Sequence, residues 1–89
     1  MSYPRVSDEE IDRRGVEIYE TVLRARVETP DNIGKEIVID VETGDYEIGY
    51  DGLAISHAVM KRHPGAALLG LRIGYNAVCA LGGVLRRTV

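Results

Sequence analysis

The sequence predicts an α+β domain with the element order α-β-β-α-β. Apolar residues recur every three or four positions in the segments 8–27 and 52–63, which is the period of an amphipathic helix. Between these segments, apolar and polar residues alternate over 35–50, as they do in half-buried strands. A third apolar segment, 66–75, is rich enough in apolar residues for an interior strand. At 89 residues, the chain forms one domain at most.

The first helix is predicted over 8–27. Ser7 and Glu10 have the spacing of a capping box, and Pro30 disfavours a helical conformation at the residue before it. Residues 1–6 are expected to be disordered. The apolar stripe of this helix consists of Ile11, Gly15, Ile18, Val22 and Ala25.

The second helix is predicted over 52–63, with Asp51 as its N-terminal cap and Pro64 and Gly65 ending it. A broad apolar arc along this helix is formed by Leu53, Ile55, Ala58, Val59 and Met60. His57 and Lys61 lie outside this arc.

The alternating segment 35–50 is predicted to be a β-hairpin. A two-residue loop at Thr43-Gly44, or a four-residue loop with the same pairing, sets Val41 opposite Tyr46 and Ile39 opposite Ile48. The apolar side chains then share one face. Four acids share the other, with Glu42 opposite Asp45 and Asp40 opposite Glu47, so that face requires a cation or full hydration.

The third strand, 66–75, is expected to supply that cation. If the second helix packs on the apolar face of the hairpin, Leu69, Leu71 and Ile73 must turn toward it, which leaves Arg72 on the acidic face between two glycines. We expect Arg72 to neutralise one or more of the four acids. The candidate interaction residues are therefore Arg72, Asp40, Glu42, Asp45 and Glu47, together with Tyr75, Arg86 and Arg87.

The end of the chain is ambiguous. Residues 76–81 suit a short helix, and residues 84–87 suit a fourth, edge strand. The segment 53–89 carries five basic residues and no acid, whereas 29–52 carries seven acids and one lysine. Nucleic-acid binding through Arg62, Arg72, Arg86 and Arg87 is an alternative function, but these cations form no basic run, and we expect no such binding.

Enzymatic and metal-dependent functions are disfavoured. The hydroxyl and thiol candidates Ser7, Ser56 and Cys79 have no evident base partner, and no phosphate-binding loop is present. The acidic hairpin has ligands suited to Mg²⁺ or Ca²⁺, which keeps a small-ligand or metal-binding protein as a further alternative, but a flat hairpin does not wrap an ion. We expect no catalytic residue, no metal and no cofactor.

The composition predicts a protein that associates. The chain contains no Trp and no Phe, and a domain of this length buries a small core. We therefore expect a homo-oligomer, a dimer or higher, and a protein partner. No apolar run approaches the roughly 20 residues of a membrane span, and the N-terminus lacks a signal-peptide core, so we expect a soluble, cytoplasmic protein.

Three segments carry a family resemblance: "GKEIVIDVETGDYEIGYD" at 34–51, "RHPGAALLGLRIGYNAV" at 62–78 and "LGG" at 81–83. They resemble a family of short, largely uncharacterised bacterial proteins, common in cyanobacteria, with a G-K-x-x-x-I-D-x-E-T-G-D-Y hairpin and an R-I-G-Y strand. Members often look like the first half of two-gene cassettes beside a toxin-like or retropepsin-like partner. The resemblance implies an antitoxin-like or regulatory role and supplies no catalytic residues.

Overall fold

The structure is a computed structural model that describes residues 6–74. Its elements have the predicted order and confirm the α+β fold. The N-terminal helix consists of α1 (Asp8–Ile18), a π-helical segment (Tyr19–Leu23) and α2 (Arg24–Val27). It is followed by β1 (Glu36–Asp40), β2 (Tyr46–Gly49), α3 (Gly52–Arg62) and β3 (Leu68–Arg72).

Both helix starts use the caps expected from the sequence. The Ser7 hydroxyl accepts a hydrogen bond from the Glu10 backbone N–H at 3.2 Å. The Asp51 carboxylate accepts from the Leu53 N–H at 3.1 Å and caps α3. Of residues 1–6, which were expected to be disordered, the structure describes only Val6, which is buried directly before the Ser7 cap, and residues 1–5 lie outside the described residues.

A polar contact joins the start of the π-helical segment to the end of the N-terminal helix. Its first residue, Tyr19, is buried, and its hydroxyl donates to Glu28 Oε2 at 2.6 Å. Arg24 Nε donates to the same oxygen at 3.0 Å. Burial raises the pKa of Glu28, but the hydrogen bonds from Tyr19 and Arg24 outweigh burial and hold that pKa below its usual value.

The three strands form an antiparallel sheet in the order β2-β1-β3. The central strand is therefore β1, which carries Ile37 and Ile39 into the core. The expectation that the third strand is interior is wrong for the described sheet, where β3 is an edge strand paired only with β1. Its odd-numbered residues do face the core as predicted, with Leu69 opposite Ile39 and Leu71 opposite Ile37.

The hairpin register differs from the prediction by two residues. Ile39, not Val41, lies opposite Tyr46, and Val38, not Asp40, lies opposite Glu47. The four-residue loop 41–44 is closed by a hydrogen bond from the Asp40 N–H to the Asp45 carbonyl at 2.8 Å. Because a shift of two residues preserves the faces of a strand, the predicted apolar and acidic faces remain correct.

The turn explains this register. Asp40 is 1 % exposed, and its Oδ1 accepts from the Glu42 N–H at 2.9 Å and the Thr43 N–H at 3.4 Å. Gly44 follows with φ 82°, a left-handed conformation that glycine adopts without a steric cost. Asp40 therefore organises the turn instead of pairing across the strands.

The N-terminal helix packs on the apolar face of the sheet and encloses the main core. Gly15 allows the closest approach, because a Cβ atom there would lie 2.2 Å from Leu69 Cδ2 and 2.8 Å from Leu69 Cβ. The buried members of this core are Tyr19, Leu23, Val27, Ile37, Ile39, Val41, Leu69, Leu71 and Ile73.

The helix α3 packs on the opposite face of the sheet and not on the apolar face where the second helix was expected, so the fold has three layers. Its buried residues Ile55 and Val59 form a second, smaller cluster with Val38 and Leu68. The acidic face of the hairpin is therefore covered by α3 and is not an open surface. The expected apolar arc of this helix is also narrower than predicted, because Leu53 is exposed.

Candidate interaction site

A polar cluster joins the hairpin to the end of α3. We call it the hairpin cluster: Asp40, Asp45, Glu47, Arg62 and His63. Arg62 is its cation, since Nε donates to Asp45 Oδ2 at 2.8 Å and Nη1 lies 3.1 Å from Glu47 Oε1. The guanidinium also donates to the Tyr46 carbonyl at 3.3 Å. One side chain from α3 thus neutralises two of the four hairpin acids.

His63, the residue after α3, lies beside both Asp45 and Asp40. Its Nε2 lies 2.9 Å from Asp45 Oδ2, and its Nδ1 lies 3.9 Å from Asp40 Oδ2. The imidazole therefore lies between the partly exposed carboxylate of Asp45 and the buried carboxylate of Asp40. This position follows from the end of α3, because Pro64 and Gly65 turn the chain there.

The electrostatics of the cluster favour the charged form of Asp45. The hydrogen bond from Arg62 is the largest effect and lowers the pKa of Asp45. Burial opposes it, and the contacts with His63 and the Tyr46 backbone N–H add to the lowering. A carboxyl group that serves as a general acid requires a raised pKa. The chemistry of Asp45 is thus that of a structural ion pair.

Arg72 is not the cation of this cluster, which corrects the sequence-based expectation. It does lie on the acidic face, but in the β1–β3 register its backbone is opposite Glu36. Glu36 is at the other end of β1 from Asp40. Four residues of strand separate those two ends by about 13 Å. Among the described residues, Arg72 forms no ion pair with any of the four acids, and its Nη1 instead donates to the Gly34 carbonyl at 2.7 Å.

The other predicted interaction residues are dispersed or lie elsewhere. Glu42 is exposed in the hairpin turn, two residues from Asp40. Tyr75, Arg86 and Arg87 lie outside the described residues. The sequence interpretation missed Arg62 and His63 as partners of the hairpin, although the absence of any acid in α3 and the basic end of that helix were signals for them.

The surface of α3 that faces away from the sheet carries exposed apolar side chains. We call it the α3 outer face: Leu53, His57 and Met60. Leu53 is 69 % exposed, and Met60 is 40 % exposed. Tyr50, directly before the cap of α3, is 81 % exposed, and Lys35 Nζ lies 5.4 Å from its ring centroid. These side chains contribute little to either core.

Two classes of site are absent from residues 6–74. No group of three or more His, Cys, Asp or Glu side chains in this part of the chain is arranged to hold a metal ion. In the same residues, no helix combines the length and the apolar character needed to cross a membrane.

Comparison of the chain with protein-family models, with curated proteins and with solved structures finds no match in any of the three. The resemblance to the cyanobacterial family thus rests on its sequence motifs alone.

Proposed function

We propose that this protein is a non-enzymatic interaction or regulatory module of the cytoplasm, antitoxin-like in role, that self-associates and binds a protein partner. The observation that supports it is the α3 outer face, where Leu53 and Met60 project from a helix whose packing on the sheet is already provided by Ile55 and Val59. Burying one exposed leucine side chain completely in a contact favours association by roughly 1.5–3 kcal/mol of free energy. Contiguous exposed apolar patches mark sites of protein contact, and we take the α3 outer face as the candidate for such a site.

The hairpin cluster supports a structural role for its acids. Asp45 and Glu47 are held by Arg62, and Asp40 accepts two N–H groups of its own turn. The carboxylates are thus engaged in holding the turn and the end of α3 together. This arrangement favours a rigid scaffold for a binding surface over acid–base chemistry.

The same cluster weakens the nucleic-acid alternative. Arg62, one of the four cations on which it depends, is engaged with Asp45 and Glu47. Arg72 is half-buried and directed to a backbone carbonyl. A protein partner agrees better with the antitoxin-like role that the sequence resemblance implies.

Sedimentation velocity and light scattering test self-association. We expect the mean mass to rise from that of one chain to that of two as the concentration increases from low micromolar to millimolar. A mass of one chain at every concentration would remove the proposal. In parallel, a mobility-shift assay at physiological salt should show no retardation of DNA or RNA, and tight salt-sensitive binding would favour the nucleic-acid function instead.

A further inference from the structure

We propose that a second copy of this chain docks on the α3 outer face, with the two α3 helices antiparallel about a two-fold axis beside His57. The inference rests on the self-association proposed above and names the surface and the geometry that produce it. A contact of this kind is isologous, so the same patch must complement itself.

The spacing of the apolar side chains fits such a pair. Leu53 and Met60 are seven residues apart, which places them on one side of the helix about 10.5 Å apart along its axis. In an antiparallel pair centred beside His57, Leu53 of each copy meets Met60 of the other. Each of the two exposed apolar side chains thereby gains a partner.

The charges of α3 complement each other only in the antiparallel arrangement. The Asp51 carboxylate caps the start of the helix, and Glu36 Oε2 accepts a hydrogen bond from the Gly52 N–H at 3.1 Å, so two carboxylates from outside the helix lie at its N-terminus. Its last turn carries Lys61 and Arg62, and the helix contains no acid. Antiparallel docking sets Lys61 of one copy near Asp51 of the other, and it also opposes the helix dipoles favourably.

The N-terminal helix offers a poorer surface. Its exposed apolar residues are Val16 in α1 and Val22 in the π-helical segment, so the regular α-helical spacing that aligns Leu53 with Met60 does not hold between them. Ion pairs cross its outer surface, including one from Arg13 to Glu17. Val22, which is 49 % exposed, is therefore a matched control for Leu53 on the opposite layer of the molecule.

The β2 edge is also a weak competitor. This strand is four residues long, and the ion pair between Glu47 and Arg62 stands beside it. Short edge strands with charged side chains resist pairing with a second sheet. A single pair of short helices buries less than a standard interface, so we expect a dimer with a dissociation constant in the micromolar range or weaker.

The first test compares Leu53→Asp with Val22→Asp by sedimentation velocity, after circular dichroism has verified that both variants are folded. Leu53→Asp should raise the dissociation constant of the dimer at least about tenfold, and Val22→Asp should leave it unchanged. Equal effects of the two substitutions would overturn the assignment of the surface.

The second test is a cross-link in a Cys79→Ser background, where the native thiol cannot interfere. His57→Cys should form a covalent dimer on mild oxidation, because the two-fold axis brings its Cα atoms near disulfide range, and Val22→Cys should not. A dimer weakened by Leu53→Asp but not cross-linked at residue 57 would overturn the antiparallel geometry.

The two proposals fail in different ways. If the unmodified chain is a monomer at all concentrations, self-association itself is wrong. If the unmodified chain dimerises, but Leu53→Asp is still a dimer and His57→Cys does not cross-link, only the α3 surface is wrong.

Discussion

Arg62 Nε donates a hydrogen bond to Asp45 Oδ2 at 2.8 Å and so fastens the last residue of α3 to the turn of the hairpin. The chain between these two residues contains β2 and the whole of α3. The contact therefore closes a local unit in which α3 lies across the acidic face of the sheet, with Ile55 and Val59 beneath it.

Replacing Arg62 should loosen this unit without unfolding the protein. Arg62→Gln removes the cation shared by Asp45 and Glu47, and because the pair is exposed we expect the melting temperature to fall by only a few degrees. The matched control is Arg26→Gln, since Arg26 is also exposed and has no ion pair among the described residues. Thermal unfolding at low salt, followed by circular dichroism, measures both melting temperatures. Equal melting temperatures of the two variants would contradict the role of Arg62 as the cation of the hairpin cluster.

The Asp45 carboxyl group should titrate below its ordinary value. Arg62 holds the pKa of Asp45 below 3.8, so Asp45 stabilises the fold above the unfolded-state pKa. That stabilisation is lost as the pH falls below 3.8 and through the lower folded-state value. An NMR titration of the side-chain carboxyl should show this pKa and its rise in Arg62→Gln. An unchanged pKa in the variant would show that Arg62 is not the cause.

Gly15 should resist substitution although alanine is the better helix former. Its Cβ would lie 2.2 Å from Leu69 Cδ2, and Leu69 is fully buried between the helix and the sheet. Overpacking of a core costs about 1–3 kcal/mol, which exceeds the gain of up to about 1 kcal/mol in helix propensity.

Urea unfolding of Gly15→Ala, Leu69→Ala and the double variant measures this clash. In the double variant the new methyl group occupies part of the space left by the leucine, so we expect a smaller loss of stability than the sum of the two single losses. Additive losses, or a stabilising Gly15→Ala, would contradict the close approach of helix and sheet.

Asp40 should matter for its oxygen atoms more than for its charge. Asp40→Ala leaves the Glu42 and Thr43 N–H groups without their acceptor, which we expect to cost about 1–3 kcal/mol. Asp40→Asn keeps an acceptor oxygen in the same place and should lose less. Urea unfolding of both variants tests the turn, and equal losses would show that the charge facing His63 dominates instead.

Local patterns in the sequence were sufficient for the elements and for the faces of the strands. The Ser7 and Asp51 caps and the alternation around Ile37 and Ile48 depend on neighbouring residues only, and they are found as predicted. The register was missed because the Asp40 side chain turns back onto its own loop, which alternation does not reveal.

The layer of α3 could not be predicted from its own pattern. The apolar residues of α3 form a broad arc around the helix, so the sequence does not say which of them face the sheet. They include Leu53, Ile55, Val59 and Met60. Without that choice, Arg72 was the only evident cation for the acidic face. The structure buries Ile55 and Val59, and Arg62 thereby reaches Asp45.

The central claim is that this chain associates through α3, and an NMR dilution series tests it most directly. Backbone amide spectra are recorded from millimolar to low micromolar concentration. We predict concentration-dependent shifts that are confined to the neighbourhood of Leu53, His57 and Met60, with Val22 unaffected. Spectra that do not change with concentration, or shifts centred on the N-terminal helix, would contradict the account.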